Sequence, residues 1–149
     1  MLRSPAQGEG TAYAAYRDEF HQVLGPNFQR AVLIETNAHE GPVYVPAEHA
    51  LYFTTVPEPG PKNIAINRIQ LVGEEFPFRV QVPETVQFPS NMANGMTLDR
   101  EGRLVVCEQG YKETPARISR MDLRTRVVET VVDRWRGFHF NSPNDVVVK

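Results

Sequence analysis

Glu40, Asn94 and Asn144 each stand immediately ahead of a short apolar run: Glu40-Gly41-Pro42-Val43-Tyr44-Val45, Asn94-Gly95-Met96-Thr97-Leu98 and Asn144-Asp145-Val146-Val147-Val148. They are 54 and then 50 residues apart. A carboxylate with two neutral amide oxygens is a hard-oxygen set. It suits a divalent cation such as calcium, whose affinity depends on the number and charge of its ligands. Taken singly, the asparagines read as turn residues and Glu40 as a solvent-exposed carboxylate. Their registration at one position of a repeat favours a common site, because a period near 50 residues marks blade-type repeats whose inner strands surround one axis.

Glu108 closes the run that returns from the turn Asp99-Arg100-Glu101-Gly102 to the face where Asn94 begins. It reads as a substrate contact or a hydrogen-bond acceptor behind the ligands, with an unengaged rim carboxylate as the alternative. His39 adjoins Glu40, and His139 precedes Asn141-Ser142-Pro143-Asn144, so both can approach the same cavity. His21 and His49 read as a helix-surface and a turn residue. No pair of histidines has the short spacing of a helical zinc motif, and Ser142 lacks a Gly-x-Ser-x-Gly setting. Cys107, the only cysteine, sits in the apolar run Leu104-Val105-Val106-Cys107 and reads as a buried thiol. No general base is identified within the chain.

The elements that must position these residues are short and β-type. From Phe28 onward, runs of four to eight residues alternate with turn clusters such as Pro46-Ala47-Glu48-His49 and Asp122-Leu123-Arg124-Thr125, which predicts antiparallel meanders and an all-β architecture. Ala31–Glu35, Pro42–Val45, Leu51–Thr55, Ile64–Leu71, Phe78–Val82, Gly95–Leu98, Arg103–Glu108, Ala116–Met121 and Arg126–Val132 are the expected strands. Residues 1–27 form a separate arm, with a short helix capped by Thr11 and stopped by Gly25-Pro26. Residues 28–149 are expected to supply about two blades and the start of a third. An open fan of that kind exposes sheet edges and a face, so further polypeptide is expected to complete it. A closed β-sandwich would accommodate the strands but not the repeated residue before each inner one.

Of the 149 residues, 41% are hydrophobic and 23% charged, as in ordinary globular proteins. A formal net charge of -2 with no basic run gives no footprint for nucleic acid or an acidic membrane. No apolar stretch reaches transmembrane length, and the first residues lack the apolar core of a signal peptide, so the expected location is cytoplasmic.

Asn141-Ser142-Pro143-Asn144-Asp145-Val146-Val147-Val148 resembles a signature of the regucalcin/gluconolactonase/luciferin-regenerating-enzyme-like family. Glu40-Gly41-Pro42-Val43-Tyr44 resembles its first-blade motif. Ala93-Asn94-Gly95 with Asp99, Gly102-Arg103-Leu104-Val105 and Cys107-Glu108-Gln109-Gly110 resembles its second-blade pattern. The resemblance implies a six-bladed β-propeller with a central divalent metal, in enzymes that mostly hydrolyse lactones and sometimes phosphoesters. By motif match Glu40 is a metal ligand, and Asn144 a metal ligand or a substrate contact beside it. Asn94 and Glu108 join Asn144 as candidate substrate contacts. Calcium is the first expectation for the metal, with zinc or magnesium as alternatives. The family's remaining asparagine and its water-activating aspartate come from later blades, outside this sequence. The expected function is therefore that of a metal-dependent lactonase, completed by a second polypeptide. The alternatives are a non-catalytic metal- or metabolite-binding propeller and a fragment that completes a partner.

Overall fold

The computed structural model describes residues 17, 19–24, 31–57 and 63–149, and the chain divides into two compact units, residues 1–33 and 34–149. In the first unit a six-residue helix spans Glu19–Leu24. Most of the residues in the earlier half of the expected helix, from Thr11, lie outside the described residues.

The second unit is all-β and antiparallel. Its first sheet begins with β1 (Ala38–Val45), β2 (Ala50–Thr55) and β3 (Ile66–Val72) in that order. Two short strands, β4 (Arg79–Val80) and β5 (Glu84–Gln87), both pair with β3. The second sheet is a four-stranded meander of β6 (Ala93–Leu98), β7 (Leu104–Glu108), β8 (Arg117–Met121) and β9 (Val128–Val132). A small hairpin of β10 (Arg134–Trp135) and β11 (Phe138–His139) follows. Antiparallel meanders of this kind are the units from which propeller blades are made.

The turns form where the sequence offers the right chemistry. Asp99 Oδ1 accepts from the backbone N–H groups of Glu101 and Arg103, and Gly102 takes the positive φ of 76° that the reversal requires. Burial pushes the Asp99 carboxyl upward, but the backbone and side-chain bonds from Arg103 outweigh that and hold it below its ordinary range. Asp122 repeats the device, its Oδ1 accepting from the N–H groups of Arg124 and Thr125.

Residues 31–37 carry no strand, against the expectation for Ala31–Glu35. Val32 and Ile34 are exposed there; an apolar run alone makes no ladder when no neighbouring strand is paired with it. Conversely, β5 is polar and lies between Pro83 and Pro89, which concealed it in the sequence. Residues 141–149 approach the second sheet without forming a regular strand.

The two sheets share one core. Val43, Val45, Ala50, Tyr52 and Ile66 of the first pack with Ala93, Met96, Leu104, Val106 and Met121 of the second. β7 is buried along its whole length, while β9 is largely exposed. Around the edge of this core, Arg126 Nη1 donates to the Tyr52 hydroxyl at 3.2 Å, and that hydroxyl donates to Glu48 Oε2 at 2.8 Å.

Strands β1 and β6, each first in its sheet, carry matching irregularities. From Glu40 to Val43, three steps on β1 oppose two on β2, from Thr54 to Tyr52. From Ala93 to Met96, three steps on β6 oppose two on β7, from Glu108 to Val106. Such bulges re-aim side chains at strand ends, and here each encloses the glycine that follows the repeated residue.

Candidate functional site

Those glycines bring the three repeated residues side by side. A Cβ on Gly41 would lie 2.4 Å from the Asn94 carbonyl oxygen, and one on Gly95 would lie 2.4 Å from the Asn144 carbonyl oxygen. Neither position can hold a larger residue without moving backbone, and Gly41 also has a φ of 56°. The Gly95 N–H donates to the Asn144 carbonyl at 2.8 Å. Glu40, Asn94 and Asn144 thus occupy equivalent places in successive repeats, with the backbone of each pressed against the next.

Their side chains differ in surroundings. Glu40 is partly buried and Asn144 exposed. Asn144 Nδ2 donates to Asp145 Oδ2 at 3.1 Å, which occupies the donor end of the amide and leaves its carbonyl end for a ligand. Asn94 is 7% exposed, and its buried Oδ1 has no hydrogen-bond partner among the described residues. An unpaired buried acceptor costs about 1–3 kcal/mol. A cation or a ligand donor would remove that penalty, so the donor set fits a hard cation. Among the described residues no three His, Cys, Asp or Glu side chains form a metal-binding group; the candidate set here is one carboxylate and two amides.

Glu108 lies opposite Ala93, next to this row. It is 1% exposed, which removes the reading of an unengaged rim carboxylate. Arg117 grips it with two bonds, Nε to Oε2 at 2.7 Å and Nη2 to Oε1 at 3.1 Å, and Asn91 Nδ2 adds a third to Oε2 at 2.8 Å. Arg117 and Asn91 were not legible as partners, because they come from β8 and from the loop before β6. The i, i+9 spacing of Glu108 and Arg117 across a hairpin is the one sequence signal that could have paired them.

The histidines take separate places. His39 is exposed on β1, and His139 on β11 lies 3.7 Å from Asp133 Oδ2. His49 caps the turn after β1, bonded through Nδ1 to the Tyr44 hydroxyl and through Nε2 to the Gly73 carbonyl. The side chain of His21 lies outside the described residues. Cys107 is fully buried, and burial together with Asp145 pushes its thiol up to about 11, so it stays protonated and inert at neutral pH. No described helix is long and apolar enough to cross a membrane.

The pair of sheets recurs in known structures. The fold resembles that of a gluconolactonase. The Xanthomonas campestris gluconolactonase, described as important in glucose secondary metabolic pathways, matches with a TM-score of 0.59 at 23% identity over 77% of this chain. A structural-genomics protein proposed to be a gluconolactonase matches with a TM-score of 0.67 at 28% identity over 89% of this chain. The chain spans 33% and 40% of the lengths of those two proteins. No protein-family model matches the sequence, and no curated protein does.

Proposed function

We propose that this chain is part of a metal-dependent lactonase-type hydrolase. The observation that carries the reading is the buried Asn94 Oδ1, unpartnered among the described residues, on a strand whose backbone meets that of the Glu40 strand on one side and that of Asn144 on the other in a gluconolactonase-like fold. Glu40 would supply the charged ligand and Asn144 a carbonyl oxygen, with Asn94 contributing its free oxygen to the cation or to the bound substrate. A divalent cation, calcium first among those to be tried, would polarise a lactone carbonyl and stabilise the oxyanion that water attack produces. Around it, Asp145 orients the Asn144 amide, and the Glu108–Arg117 pair holds the strand beside Asn94. Two blades of a six-bladed ring amount to about a third of it, which agrees with the 33% and 40% spans of the matched proteins. The remaining blades would complete the ligand shell and furnish the general base, and we assign them to further polypeptide.

The test is a panel of sugar and aliphatic lactones offered to the native protein, as its cell makes it, with and without chelator. Hydrolysis should disappear on chelation and return when the cation is restored. Hydrolysis that persists after verified metal removal contradicts the mechanism; cation binding with no turnover across the panel would leave a metabolite-binding propeller instead.

A further inference from the structure

Thr54 sits directly across from Glu40 in the β1–β2 ladder and across from Ile66 on its other side. It is 0% exposed, and its hydroxyl has no hydrogen-bond partner among the described residues. The buried hydroxyls around it are not left so: Thr55 Oγ1 accepts from the Ala65 N–H at 3.1 Å, and Ser90 Oγ donates to the Ile64 carbonyl at 2.6 Å. An orphaned buried hydroxyl is costly, and valine would suit the same strand position without that cost. Of the three buried side-chain atoms without partners among the described residues, two belong to neighbours of Glu40: the Thr54 hydroxyl, on the residue paired with it across the ladder, and Asn94 Oδ1, on the residue whose carbonyl meets Gly41; the third, Asn91 Oδ1, belongs to the residue that donates to Glu108. The hydroxyl is the only donor of the two, and a carboxylate is the strongest acceptor its position offers.

We propose that Thr54 is a positioning residue for the cation site: its hydroxyl donates to the Glu40 carboxylate in the loaded state, fixing one oxygen so that the other faces the ion. The inference rests on the cation reading above. Its logic is that of other outer-shell partners of metal ligands, whose loss typically weakens metal binding about 10–100-fold. The cost of the unpaired hydroxyl is borne by the empty protein and removed on loading.

Calorimetric titration of the native protein with calcium, magnesium and zinc, beside T54V and T54S, tests it. For the cation that the unaltered protein binds, T54V should bind about 10-fold more weakly. Its ion-free form should unfold at the same or a higher denaturant concentration, since an unsatisfied polar group has gone. T54S should restore the affinity. Undiminished affinity in folded T54V overturns the proposal. So does a loss that T54S shares and that is accompanied by lower ion-free stability, because that marks Thr54 as mere packing. Should T54V fail to fold, T54A read against T54S decides in the same way. If the unaltered protein binds none of the three ions, the cation reading itself fails, and that result needs no variant.

Discussion

Glu40→Gln is expected to weaken divalent-cation binding by on the order of 100-fold or more while leaving the fold in place. The substitution removes the only full negative charge among Glu40, Asn94 and Asn144 yet keeps the shape of the side chain. Cation affinity depends on ligand charge, so this loss should exceed that for Asn94 or Asn144 changed to a residue of similar size. Glu40 is partly buried, and no described hydrogen bond or ion pair of its side chain would be broken. The denaturant midpoint of the ion-free protein should accordingly stay within the scatter of surface substitutions. Calorimetry showing unchanged affinity with the fold intact removes Glu40 from the ligand set.

Much of this arrangement could be read from residue order because it depends on local chemistry. The Asp99 and Asp122 turns have side chains that bond their own backbone two to four residues on, so four-residue patterns suffice to place them. The equivalence of Glu40, Asn94 and Asn144 was visible as a period, and the glycine contacts give that period a physical meaning. What was hidden depends on partners distant in sequence. Ala31–Glu35 has the apolar run of a strand but no ladder, and β5 has the ladder without the apolar run. Glu108 could be singled out, but not the Arg117 and Asn91 groups that occupy it. Nor could the unpartnered state of Thr54 and Asn94 be foreseen, since a hydroxyl or amide has no partner only in relation to a completed fold.

Arg117→Met should lower the unfolding free energy by about 3 kcal/mol, the lower end of what breaking a buried pair costs. Glu108 is almost wholly enclosed while the Arg117 side chain is 28% exposed, so the arginine is partly screened and the penalty falls mainly on the carboxylate left behind. Asn91 would still donate one bond to it, which keeps the loss from being larger. Adding Glu108→Gln to Arg117→Met should recover much of the stability, and the coupling energy of that cycle measures the pair. Urea unfolding that places Arg117→Met within about 0.5 kcal/mol of the unaltered protein would show the pair to be energetically idle.

The Gly95 amide has a use as a clock. Its hydrogen is held by the carbonyl of Asn144, which belongs to a stretch with no regular strand, whereas the amides in the middle of β7 are held within a four-stranded ladder. Exchange with solvent deuterium at Gly95 therefore follows the local lifting of residues around Asn144, and exchange within β7 follows opening of the whole sheet. The ratio of the two rates measures how firmly the stretch around Asn144 is seated on β6. An ion bound by both Glu40 and Asn144 would slow the first rate far more than the second, so amide protection at a glycine that touches no ligand reports when the site is closed.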